Sequence, residues 1–305
     1  MASPVAVITN PLDDDLHILF TLNDKKQLAM ELRKSSDTET YEPYQDNGTI
    51  EGSIINPAQI SVVILSGMPT VYGIATSNPK KDATVSMLSP IYNPVPDKKA
   101  GNKLLPTSLK ALAACGNEKN EVWLYYTRMN EAQTAVELVA INPKNGGASP
   151  VDLKIPPGSN SNLAAFFNQH RFVFFTNTDD DNYVYYYNSG NGNMDSLAGD
   201  VKPASPLAVT QVASQNRDGQ YHIIVLYYMT SNKGLGRVVG DLLNGTMNWS
   251  QPTTIKDAPK LDQTTMLTVT TSITGVNYVY YIPKGGKQYK PWVDSNDNWR
   301  GDSDD

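Results

Sequence analysis

A single cysteine, Cys115, excludes an intramolecular disulfide, so packing and hydrogen bonds must hold the fold. There are only three histidines, His17, His170 and His222. They are so far apart that a zinc centre would need ligands from distant parts of the chain, and no metal site is expected. Basic residues are in the minority, 25 Lys and Arg against 31 Asp and Glu, giving a net charge of −6. That field argues against a nucleic acid or an anionic membrane surface as partner. No run approaches the ~20 apolar residues of a spanning helix. The opening MASPVAVITNP has too short an apolar core for a signal peptide, so the chain reads as cytosolic. The sequons at Asn47, Asn244 and Asn248 then read as ordinary turns. Neither a GxSxG motif nor a helix-opening phosphate loop occurs, and Lys233-Gly234-Leu235-Gly236-Arg237 reads as a hairpin turn. No cofactor is expected.

What the chain does have is tyrosine, 17 against 6 phenylalanines, in short β-favouring runs. Residues 121–141, EVWLYYTRMNEAQTAVELVAI, show the pattern: an aromatic and β-branched run, a polar turn, then a second run. This is a hairpin. The design occurs six times, with second strands starting at Leu16, Thr70, Glu121, Arg171, Tyr221 and Asn277, a period near 50 residues. Such a period built from hairpins predicts an all-β, six-bladed propeller occupying 1–305 as one domain. The inner strands are expected at 4–9, 59–65, 108–114, 162–167, 207–213 and 265–271. They carry small residues where six strands converge, at Ala6, Ser61, Ala111, Ala113, Ala164 and Ala208. Outer strands are expected at 248–250 and 298–300, and the four prolines of 89–106 predict a surface connection between blades two and three.

Asp13-Asp14-Asp15 and Asp179-Asp180-Asp181 lack the alternation and the glycine of a calcium loop and read as solvated turns. Cys115 has no basic neighbour in sequence and reads as a structural thiol. Polar residues beside the inner strands, Gln59, Lys110, Asn162 and Gln211, are expected on the axial channel or between blades.

In repeat number, period and the pairing of an aromatic second strand with a third strand, as in VWLYYT…TAVELVAI, the chain resembles the fungal fucose-specific lectins. The resemblance implies sugar sites between blades, built from a second-strand arginine, a third-strand glutamate and an outer-strand tryptophan of the neighbouring blade. Carried onto this sequence, the arginine position falls on His17, Tyr72, Trp123, Phe172, Val225 and Tyr278. Glutamate remains at Glu31 and Glu137, and tryptophan at Trp249 and Trp299. The fucose triad is therefore expected to be lost.

The chain is also similar to the fungal hetero-Diels–Alderases that join a tropolone quinone methide to a humulene-type terpene. That similarity implies a cofactor-independent cyclase of secondary metabolism, acting on small apolar and aromatic substrates by positioning and hydrogen bonding. The expected catalytic donors are Lys110, Asn162 and Gln211. The expected substrate-binding residues are Tyr72, Trp123, Tyr126, Phe172 and Tyr278. The alternative is a degenerate lectin-like module that binds a carbohydrate or partner without catalysis. Either is compatible with a monomer or a homodimer.

Overall fold

The computed structural model describes residues 3–34, 44–45, 49–76, 83–117, 120–177, 182–212, 221–243 and 246–295. They form six antiparallel blade sheets, one per repeat, and a separate two-stranded hairpin. Blade one contains Ala6–Asn10, Asp13–Leu22, Leu28–Lys34 and Tyr44–Gln45, and blade two Ile60–Leu65, Met68–Ala75, Thr84–Ser89 and Asn93–Pro94. Blade three has Leu112–Gly116, Val122–Met129, Val136–Ile141 and Ser149–Pro150, and blade four Leu163–Asn168, His170–Thr176, Val184–Asn188 and Met194–Ala198. Blade five has Leu207–Val212, Tyr221–Met229, Leu235–Leu243 and Thr246–Trp249, with Thr253–Thr254 added to its third strand. Blade six shows Thr268–Thr271, Asn277–Tyr281 and Lys290–Asp294. Each inner strand touches those of the two adjacent blades, and the first meets the last, closing the ring. The protein is a six-bladed β-propeller.

The register shows why this sequence makes this ring. In every blade an aromatic on the second strand lies opposite a small inner-strand residue. The pairs are Ala6 with Phe20, Ser61 with Tyr72, Ala113 with Tyr125, Ala164 with Phe174, Ala208 with Tyr227 and Thr268 with Tyr280. The gap between two blades widens away from the axis, so small side chains suit the innermost strand and rings fill the next position out. Each of the six rings belongs to a different apolar cluster, which it shares with the blade that follows. Tyr72 packs with Val122 and Leu124, Phe174 with Ile224 and Leu226, and Tyr280 with Val7 and Leu19.

Several local expectations change. Ala111 lies one residue ahead of its inner strand, which starts at Leu112 and not at 108. The 89–106 connection carries blade two's outer strand, and Pro96–Asp97 pairs with Lys103–Leu104 in a small hairpin. Asp13, Asp14 and Asp15 are solvent-exposed as expected, but they open the second strand of blade one instead of forming a turn. Asn248 sits in the outer strand of blade five. The 298–300 strand, Trp299, Asp179 to Asp181, Asn47 and Asn244 lie outside the described residues.

Side-chain hydrogen bonds link the blades. Gln59 accepts from Leu112 N–H and Leu163 N–H and donates to Leu163 C=O, so one amide from blade two ties blades three and four. Between blades five and six a chain of contacts passes back and forth, with one step, Thr271 to Asn277, inside blade six. It runs outward through Thr210, Thr271, Asn277, Tyr227, Asp294 and Arg237. Across blades six and one, Thr9 bonds Thr270 at 2.7 Å and His17 Nδ1 meets the Tyr280 hydroxyl at 2.7 Å.

His17 is fully buried, and desolvation lowers its pKa from 6.5 to about 4. The unfolded chain takes up this proton near pH 6.5 and the folded chain only near 4. The neutral imidazole therefore contributes full stability above pH 6.5, and that contribution falls as the pH drops towards 4, by about 3 kcal/mol at most. Urea melts at pH 7, 6, 5 and 4 should show the wild type losing stability faster than His17→Phe. Parallel slopes would refute the assignment.

Candidate functional site

The residues expected to act together are distributed around the ring. Among the donors, Lys110 is exposed, and its carbonyl accepts the Gln59 N–H. Asn162 donates to the carbonyls of Ala204 and Ser205, and Gln211 bonds Asn168 and His222. The Asn162 and Gln211 amides tie blade four to blade five. Among the aromatics, Phe172 stacks on Phe166 at 4.7 Å in the core, and Tyr126 is buried between blades two and three. Tyr126 and its neighbour Tyr125 lie in different clusters on opposite faces of blade three, as strand alternation requires. Tyr278 packs edge-on against His17 at 4.5 Å. Tyr72 and Trp123 each line a cavity, but on opposite sides of blade three.

The common register also corrects the positions carried over from the lectins. Two residues before each ring-equivalent aromatic stand Ile18, Thr70, Trp123, Phe172, Val225 and Tyr278. Blades one and two therefore contribute Ile18 and Thr70, not His17 and Tyr72, and none of the six is arginine. Trp249 does reach the neighbouring blade, with its ring edge-on to Phe174 and Tyr186 at 5.8 Å. A Cβ on Gly240 would come within 2.6 Å of that indole, so only glycine admits it. This tryptophan fills its inter-blade space.

The cleft between blades three and four is built differently. Its cavity of about 390 Å³ is lined by Trp123, Tyr125, Asn145, Ser149, Asp152, Arg171, Tyr187, Ser189 and Lys99, among others. Trp123 follows from blade three's second strand and faces blade four, while Arg171, near the start of blade four's second strand, faces back. The Arg171 guanidinium carbon lies 3.7 Å from the Trp123 ring centroid, a cation–π contact. Arg171 Nε donates to Ser189 Oγ at 3.1 Å, and Trp123 Nε1 donates to Glu121 Oε1 at 2.7 Å. Both planar groups are thus fixed before any ligand arrives. Lys99 is brought in by the 97–104 hairpin, which lies against Gly146 and Gly147. A Cβ on Gly147 would fall 2.4 Å from Lys99 Cδ.

The sequence reading placed Arg171 in a strand but did not select it. The missing signal was its cross-strand partner: Arg128 faces Glu137, whereas Arg171 faces Ser189.

A second cavity, about 360 Å³ between blades two and three, is mainly apolar, with Leu65, Tyr72, Met87, Val95 and Val122 in its wall. Burial raises the Tyr72 phenol to about 12, so it stays a neutral donor at physiological pH. Cys115 is buried, and desolvation pushes its thiol up to about 12. The His17 and His222 imidazoles bond Tyr280 and Gln211, and His170 packs against Gly190; among the described residues none is hydrogen-bonded to a serine or cysteine side chain. Among the described residues no group of three or more His, Cys, Asp or Glu is placed to hold a metal ion.

No family model matches the chain. In structure it is similar to Aleuria aurantia lectin, a six-bladed fungal lectin with a fucose recognition mode, at TM-score 0.62 and 14% identity, covering 96% of each chain. It is likewise similar to AofleA from Arthrobotrys oligospora, at TM-score 0.65 and 11% identity over 96% of this chain and 86% of that one. At those identities the fold is shared and the sites are not implied. In sequence it is 35% identical over 302 residues to a protein of Coccidioides posadasii named wall-associated proteinase, covering 97% of this chain and 96% of that protein. The chain, a six-bladed β-propeller, belongs to the family of the Coccidioides proteins named wall-associated proteinase.

Proposed function

We propose that the protein is a glycan-binding propeller whose ligand enters the cleft between blades three and four. The observation that carries this reading is the fixed Trp123–Arg171 pair lining a polar cavity of about 390 Å³. Tyr187, Ser149 and Asn145 add hydroxyl and amide groups. An aromatic wall with a few fixed polar groups suits a ligand with apolar and hydroxylated faces. The fold it shares with fucose-recognising lectins and the wall association in its relatives' name both fit a glycan target. Peptide hydrolysis, named for those relatives, finds no paired nucleophile and imidazole among the described residues.

A glycan array followed by titration tests the reading. The wild type should bind a defined glycan class, and Trp123→Ala should weaken that binding roughly 10- to 100-fold while the protein melts cooperatively. An array without a reproducible ligand would refute it. Titration with methyl fucoside at low-millimolar concentration should give no saturable heat, because no ring-equivalent second-strand position holds the arginine. Cell fractionation separates the cytosolic location expected from the sequence from one at the wall.

A second reading, hetero-Diels–Alder cyclisation, draws on the apolar cavity between blades two and three. Its size suits apolar partners, and the Tyr72 hydroxyl offers a donor for a carbonyl-bearing one. Cycloaddition converts π bonds into σ bonds and needs neither a nucleophile nor a metal. Product formation above the uncatalysed rate, reduced in Tyr72→Phe, is its test.

A further inference from the structure

We infer that the sugar taken by the cleft between blades three and four is acidic, a uronate-type residue whose carboxylate pairs with Arg171; this rests on the glycan-binding reading. Arg33, Arg128 and Arg237 each hold a carboxylate, on Glu31, Glu137 and Asp294. Arg171 is the one described arginine without a carboxylate within ion-pair distance. Its Nε is spent on Ser189 and one face is covered by Trp123, which leaves the two Nη groups as the open edge. That edge, with two parallel N–H donors in a fixed plane, matches a carboxylate bidentately, whereas a lone hydroxyl satisfies it poorly.

The surrounding charge points the same way. In a chain of net charge −6, cations stand at this cleft: Lys99 lines it, and Lys98 packs beside Gly146 in its wall. The nearby carboxylates are largely engaged. Glu121 accepts from Trp123, and Asp97 accepts from the backbone of Ala100 and Ala148. Asp152, exposed at the rim, is the counter-charge, and it favours a ligand whose carboxylate enters on the Arg171 side with its hydroxyls towards Asp152.

The discriminating probe is an oligogalacturonate set against its fully methyl-esterified form, which keeps the sugar and removes the charge. Calorimetric titration should show binding of the acid, weakening with salt, and loss on esterification. Arg171→Lys keeps the charge but not the planar fork and should lower affinity roughly 10- to 100-fold. Lys99→Ala should weaken it less, and both variants should melt like the wild type. Equal binding of acid and ester, or affinity for the acid untouched in both Arg171→Lys and Trp123→Ala, would overturn the inference. If neutral glycans alone bind through Trp123, the glycan-binding reading survives and the acidic ligand does not. If no glycan of either kind binds, both fail.

Discussion

Asp294→Ala should destabilise the protein by about 3–5 kcal/mol, the cost of stripping one partner from a buried ion pair. Asp294 is fully buried and accepts from Arg237 Nη1 and from the Tyr227 hydroxyl, both at 2.7 Å. Tyr227 in turn accepts from Asn277 Nδ2 at 2.9 Å. The substitution deprives an arginine that is 11% exposed of its carboxylate and a buried phenol of its acceptor at one stroke. Burial, the larger cause of the raised Tyr227 pKa, persists in the variant, so the phenol stays neutral and cannot ionise to compensate. The double replacement Asp294→Leu with Arg237→Met removes both charges and should cost less than Asp294→Ala alone. Urea unfolding of the three proteins checks the order. If the double variant were the least stable, the network would be worth more than the desolvation it demands.

Phe174→Ala should cost a similar amount, about 3–5 kcal/mol, through the void left behind. The Phe174 ring is fully buried opposite Ala164, and it packs against Phe166, Tyr186 and Trp249 from two blades. Phe174→Leu keeps most of the volume and should recover much of the loss. The loss should also appear as quenched or shifted Trp249 fluorescence, because the indole rests edge-on against this ring. A cost below about 1 kcal/mol would mean that blades four and five close over the gap.

The hairpins, their number and their spacing were legible because each second strand is dense in aromatic and β-branched residues. The phase of those strands was not. Leu19, Phe20 and their neighbours are buried on both faces, as are Val71, Tyr72 and Ile74. Alternation therefore gives no marker of which residues face which blade. Phase is set instead by which side chain lies opposite the small inner-strand residue, a cross-strand fact. That is why His17 and Tyr72 were placed one and two residues out of register in blades one and two. The short outer strand Asn93–Pro94 hid behind prolines, tolerated there because an edge strand leaves one row of backbone groups unpaired.

The candidate site was half legible. Trp123 and Tyr72 were singled out as aromatic, and both line cavities. Asn162 and Gln211 drew attention as polar groups near an axis, but in the folded chain their amides are already committed to neighbouring blades. Polarity in a sequence cannot tell a free donor from an engaged one. Arg171 owes its significance to a serine where Arg128 has a glutamate across the strand, and the comparison needs the strand pairing.

The junction between blades six and one has a topological consequence. Thr9 with Thr270, Val7 with Thr268 and His17 with Tyr280 make it a side-chain contact of the same kind as the other five, with no described strand exchanged across it. The order of blades along the polypeptide is then arbitrary as far as the ring is concerned. A circular permutant with its ends joined by a flexible tether and its backbone opened between blades four and five should refold to the same propeller, with the Trp123–Arg171 cleft intact. A permutant opened within a blade should not.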